Sequence, residues 1–209
     1  MSILERIFRR GGDAPDTRPL SRFEASGIAS RPSNIDGSPS AERAAEMLGT
    51  PGSALHLSLD EARIVVRYMR PRRIAEGITF IREGDGRNTG FMVLVIDGEV
   101  SIESSIANRS EPLTFTVLGP GSVIGEMGLI DDGAPRSASC TAIPDVRAGV
   151  LTRESLNRLL DREPRIAAKL VMTISRRMAE RMRGNQGKLK MYSQLTLALN
   201  EEIQELMPL

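Results

Sequence analysis

The chain has 209 residues, 40% of them hydrophobic, a net charge of +1, one cysteine (Cys140) and one histidine (His56). That is room for one core and a tail, with no global pull towards nucleic acid or acidic membranes. A single Cys and a single His exclude a disulfide framework and a closed zinc site, and no apolar run reaches the roughly 18 residues of a membrane span.

In chain order, residues 1–10 hold Ile3, Leu4, Ile7 and Phe8 among Arg6, Arg9 and Arg10. This is a basic amphipathic stretch without a signal-peptide core; it reads as a frayed terminus rather than a membrane contact. Gly, Pro, Ser and Asp then dominate. Residues 1–54 are expected to be a disordered tail, relieved at most by a short helix near Ala41 to Leu48. Ser58 with Glu61 forms a capping box ahead of Ile64, Val65, Tyr68 and Met69, which predicts a helix to about Arg70, with Pro71 after it.

Short apolar runs at residues 79–81, 91–96, 100–103, 113–118, 137–142 and 146–151 then alternate with Gly-containing turns. Asp97-Gly98 between two of them reads as a hairpin. The pattern predicts a mainly β domain with flanking helices, a sandwich, barrel or jelly roll. Beyond it, Thr152 caps a short helix. Pro164 opens a longer one with Ile166, Leu170, Ile174, Met178 and Met182 on one stripe. Gly184 and Gly187 are expected to interrupt that helix. A last helix over residues 189–206 places Leu189, Tyr192, Leu199, Ile203 and Leu206 near heptad spacing, suited to a dimer seam. The boundaries are thus 1–54 tail, 55–183 folded domain and 184–209 helical extension.

The chemistry concentrates in Ile124-Gly125-Glu126-Met127-Gly128-Leu129-Ile130 and, after a loop, Arg136-Ser137-Ala138. A glycine permits close backbone approach to a ligand. Glu126, opening a helical turn, suits a hydroxyl donor such as a sugar; Arg136 offers a planar fork to a phosphate, and Ser137 adds a hydroxyl. On physical grounds alone a solvated Glu–Arg ion pair explains the same residues. Cys140 reads as a small buried hydrophobe, and the basic run from Arg176 to Arg183 as a solvated helix face rather than a nucleic-acid patch.

The segment resembles the phosphate-binding cassette of the cyclic-nucleotide-binding domain, found in catabolite-activator-type regulators, cAMP-dependent kinase regulatory subunits and cyclic-nucleotide-gated channels. The pattern is met by Gly125, Glu126, Leu129, Arg136, Ser137 and Ala138. A second family feature is present in Phe80-Ile81-Arg82-Glu83-Gly84-Asp85 and the run from Phe91 to Val100. The resemblance implies a double-stranded β-helix (jelly roll) binding cAMP or cGMP through Gly125, Glu126, Met127, Arg136 and Ser137. Glu126 would take the ribose 2′-hydroxyl, Gly125 would donate its N–H nearby, and Arg136 and Ser137 would hold the phosphate. Gly84 and Gly98 would be turn glycines, and neither Glu126 nor Arg136 is expected to hold the roll together.

The reading that follows is a cytoplasmic, stand-alone, non-enzymatic sensor without cofactor or metal. It would form a homodimer and relay occupancy through its C-terminal helices to a protein effector. Family transcription factors append a helix-turn-helix, and residues 184–209 do not supply one, so specific DNA binding is not expected; nor is a membrane partner. The competing reading is an interaction module whose pocket is degenerate or takes another ligand, such as cyclic di-GMP.

Overall fold

The computed structural model describes residues 38–49, 57–87, 89–104, 113–131 and 133–206. Two four-stranded antiparallel sheets form the centre, with strand orders β1-β8-β3-β6 and β2-β7-β4-β5. The strands are β1 (Arg70–Ile74), β2 (Thr79–Ile81), β3 (Phe91–Asp97), β4 (Val100–Ser104), β5 (Leu113–Leu118), β6 (Val123–Ile124), β7 (Ser139–Ala142) and β8 (Val146–Thr152). Helices α1 (Pro39–Gly49), α2 (Leu59–Arg67), α3 (Glu126–Ile130), α4 (Arg153–Arg162) and α5 (Pro164–Leu206) complete it. This is the mainly β roll with flanking helices that the alternating texture predicts.

Strand β3 organises the interior, because both of its faces are buried. Phe91, Val93 and Val95 point between the sheets, where they meet Ile81, Ile124, Cys140, Val146 and Val150. Met92, Leu94 and Ile96 point the other way, onto a helical layer containing Leu48, Val65, Leu156, Leu159, Leu170 and Ile174. The period of two divides one apolar run between two cores, which is why it reads as continuous rather than alternating.

The helix starts follow their caps. Ser58 Oγ accepts from Glu61 N at 3.3 Å while Glu61 Oε2 accepts from Ser58 N at 2.7 Å. Thr152 Oγ1 accepts from Ser155 N at 3.2 Å at the head of α4.

Four expectations are corrected. Helix α2 ends at Arg67, and Arg70 to Ile74 pair with β8 as an edge strand, which tolerates Pro71 because an edge needs no second ladder. Asp97-Gly98 turns as expected, with Gly98 at φ 86°, but β3 and β4 pass into different sheets instead of pairing as a hairpin. Within the expected tail, α1 belongs to the fold. Ala44, Ala45 and Leu48 are buried in the helical layer, and Glu42 carries both its oxygens to Arg63 of α2. Residues 1–37 and 50–54 of that expectation lie outside the described residues. Finally, α5 runs unbroken for 43 residues through Gly184 and Gly187. Two glycines cost a helix about 1 kcal/mol each against Ala, and the good helix formers around them carry it through.

Candidate functional site

Gly125 ends β6 and opens α3 in the left-handed region, φ 76°, ψ 14°. A Cβ there would stand 2.8 Å from Arg136 Nη1, so glycine serves both the turn and a close approach. The approaching group is the Arg136 guanidinium. One turn on, Gly128 lies over the same group, where an added Cβ would collide with Thr89 O and sit 2.7 Å from Arg136 Nη1. The short helix can therefore rest directly on the arginine.

Arg136 is buried, and its guanidinium is bound by the protein itself. Nη1 donates to Gly125 O at 2.9 Å, and Nη2 donates to Thr89 O at 2.8 Å and Phe91 O at 3.1 Å. It also lies over the Phe91 ring, 4.4 Å from the centroid. Its backbone is tied to the Gly84–Asp85 turn, Arg136 N donating to Asp85 O and Gly84 N to Arg136 O. Burial pulls the guanidinium pKa below its usual value, while the nearby Cys140, Glu126 and Asp85 act the other way. Arg136 thus fastens the start of β3, the head of α3 and the loop before it. The expectation that it leaves the roll untouched is corrected: its guanidinium joins three backbone carbonyls from separate segments.

Glu126 is 3% exposed at the first position of α3. Its Oε1 stands 2.7 Å from Arg181 Nη2 in an ion pair and makes no hydrogen bond of proper geometry among the described residues. Arg181 Nη1 also reaches Met127 Sδ, at 4.0 Å. Arg181 belongs to α5, in the basic run read as a solvated face, and that reading is corrected for this residue. The missed signal is helical phase. Arg181 follows Met178 by three residues and precedes Met182, so it borders the apolar stripe rather than opposing it.

These groups line one cavity of about 440 Å³, between the segment 124–138, the inner face of β4 and β5, and one turn of α5. Gly125, Glu126, Met127, Arg136 and Ser137 all line it, so the five residues singled out from the sequence are brought together. Met178 and Arg181 join them from α5. Ile81, Ile102, Leu118 and Val123 make its apolar wall. A mostly apolar concavity with a few convergent polar groups is the form of a small-molecule site. Cys140 lines it too but is buried, and desolvation pushes its thiol pKa up to about 12. It is a buried hydrophobe, as its neighbours in the sequence suggest.

Comparison with known proteins agrees with this geometry. Residues 71–163 match the family model of the cyclic nucleotide-binding domain. The chain is 32% identical over 124 residues to the cyclic AMP receptor protein of Thermus thermophilus, covering 59% of this chain and 56% of that one. Among solved structures it resembles a cyclic nucleotide-binding domain from Methylobacillus flagellatus, with TM-score 0.60, 29% identity, and 71% and 81% of the two chains covered. It also resembles the Thermus thermophilus catabolite activator protein, with TM-score 0.59, 29% identity, and 68% and 63% covered. The match spans about half the length of the curated relatives. The roll and its two sequence motifs therefore share one explanation: residues 71–163 are a domain of the cyclic nucleotide-binding family.

Proposed function

We propose that the chain is a sensor that binds a cyclic mononucleotide in the cavity beside α3 and passes occupancy to α5. The observation that carries this reading is a cavity built jointly by residues 125–137 and by Met178 and Arg181 of a 43-residue helix. A ligand there touches the roll and the output helix at once. Glu126 takes a sugar hydroxyl; Arg136 and Ser137 face the phosphate. Arg136 donates through Nη2 to two carbonyls, and either bidentate fork of a guanidinium uses Nη2 as one prong. Phosphate binding then exchanges at least one carbonyl bond for a phosphate oxygen, which links the ligand to the start of β3. The Thermus relative is a cyclic AMP receptor, so cAMP is the first ligand to test.

The output is a protein contact. Residues 164–206 are one helix, so no helix-turn-helix occurs among the described residues. From Met182 onward, Met182, Leu189, Tyr192, Leu199 and Ile203 are each at least half exposed and recur at heptad spacing. A parallel second copy covers such a seam, making the chain a homodimer. Sedimentation at tens of micromolar, where a ~7 kcal/mol association is half complete, should give a dimer that Leu199→Glu dissociates. A wild-type monomer at that concentration removes the homodimer from the proposal.

Calorimetry of the full chain against cAMP, cGMP and cyclic di-GMP tests the central reading, with one cyclic mononucleotide expected to bind at one site per chain. The bonds of Arg136 to three carbonyls favour one alternative, a structural module whose arginine is a brace. No heat with any of the three ligands would establish that alternative, and binding of cyclic di-GMP alone would replace the mononucleotide.

A further inference from the structure

Glu126 already has a partner. Its carboxylate is almost wholly removed from solvent, its side chain 4% exposed, and the cation in ion-pair contact with it comes from α5, while Arg136 of the roll acts on it only through space. A buried carboxylate without a cation is costly, so the Glu126–Arg181 pair fixes the turn of α5 that crosses the cavity. The surroundings leave that turn few other holds. Ile174 is fully buried and Met178 is packed against the helical layer, but Met182 is 60% exposed and residues 183–200 are exposed throughout. Arg181 is thus the last anchor before the helix leaves the domain. It is also half exposed at 53%, so its guanidinium has water to move into.

We propose that Arg181 is an internal competitor at the site: Arg181 and a ligand hydroxyl contend for the same Glu126 oxygen, and displacing Arg181 releases the α5 turn around residues 178–182. This rests on the cyclic-nucleotide reading and names the regulation of that site. A hydroxyl donor on Oε1 takes the position held by Nη2, since a second group cannot stand 2.7 Å from the same oxygen along the same approach. Binding is then weaker than the cavity alone would allow, by the strength of the ion pair. The energy reappears as freedom of the helix that carries the heptad seam.

The test uses the full chain with Arg181→Gln, Glu126→Gln and both together. Without ligand, hydrogen exchange of peptides covering residues 174–183 should rise about threefold or more in either single variant and no further in the double. The strands of the roll should be unchanged. With cAMP as probe, Arg181→Gln should bind about three- to tenfold more tightly than wild type, the range of an ion pair with one buried member. Unchanged exchange in both single variants would show that the pair does not hold α5. Weaker cAMP binding by Arg181→Gln would make Arg181 a ligand contact rather than a competitor. Either result overturns the proposal. If neither wild type nor Arg181→Gln binds cAMP, the ligand assignment fails and the competition with it, whereas the exchange experiment separately decides whether the ion pair anchors the helix.

Discussion

Replacing Arg136 by Leu should unfold the protein more easily as well as weaken its ligand binding, and the size of the first effect follows from the structure. The substitution removes three donated hydrogen bonds, to Gly125 O, Thr89 O and Phe91 O. Bonds from a charged donor contribute about 1.5–3 kcal/mol each, but two of these carbonyls keep a second partner. Gly125 O also accepts from Gly128 N at 3.1 Å, and Thr89 O from Phe91 N at 2.7 Å. The lower end therefore applies, about 1.5 kcal/mol per bond. The contact over Phe91 adds about 1 kcal/mol. Against this, the buried leucine gains apolar burial, which returns about 2 kcal/mol. The net loss is about 3.5 kcal/mol, or roughly 7–14 °C in Tm for a chain of this size. Urea unfolding followed by circular dichroism measures it. Arg136→Lys provides the control, because it keeps the charge but reaches fewer carbonyls; it should fall between the two. A loss below about 1 kcal/mol in Arg136→Leu would refute the reasoning, since it would mean the carbonyls find other donors. Binding assays on the variant belong well below its Tm, where a further 2–4 kcal/mol loss is expected from stranding the phosphate.

Gly128→Ala should reproduce part of this defect with Arg136 still in place, because its Cβ meets Thr89 O and the Arg136 guanidinium; a loss of about 1–3 kcal/mol in urea, with weakened cAMP binding, is the expected pair of results. Leu48→Ala should cost about 2–4 kcal/mol, as for a fully buried leucine, and a chain beginning at Leu55 should be less stable than one beginning at Ser38. Equal stability of those two chains would put α1 back outside the domain. Cys140 should resist thiol reagents in the folded state. With its pKa at about 12, only about one thiol in ten thousand is ionised at pH 8. Its modification rate should rise only as urea unfolds the chain, and as pH climbs from the unfolded thiol's value towards 12 the folded state should lose stability.

Much of the roll was legible because its strands are short apolar runs between turns, and because Ser58, Thr152 and Pro164 mark helix starts by local chemistry. The misses have local causes of the opposite kind. Arg70-Pro71-Arg72-Arg73-Ile74 has almost no apolar pattern and becomes a strand only because β8 offers it an edge. Helix α1 matches the short helix expected near Ala41 to Leu48, but its place in the domain is not visible in a stretch of linker-like composition; three small or apolar residues, Ala44, Ala45 and Leu48, suffice to dock it. At the site, Gly125, Glu126, Met127, Arg136 and Ser137 were readable because they lie within thirteen consecutive residues. Met178 and Arg181 arrive from about fifty residues away, where a methionine on a stripe and an arginine in a basic run look like any amphipathic helix. The inward role of Arg136 was hidden for another reason. Its acceptors are backbone carbonyls, which every residue has and no motif records.

The unbroken α5 has a mechanical consequence. At 1.5 Å per residue, the 25 residues from Arg181 to Leu206 make a rod of roughly 38 Å beyond the cavity. A tilt of about 10° at Arg181, less than the scatter of ordinary helix crossings, would sweep the far end sideways through about 7 Å. That is most of the distance, about 8–10 Å, that separates the axes of packed helices, so it is enough to open or close a helix–helix seam at the far end. Gly184 and Gly187 lie within the first two turns of this lever, its most compliant stretch, and replacing both with alanine would stiffen the arm at its root.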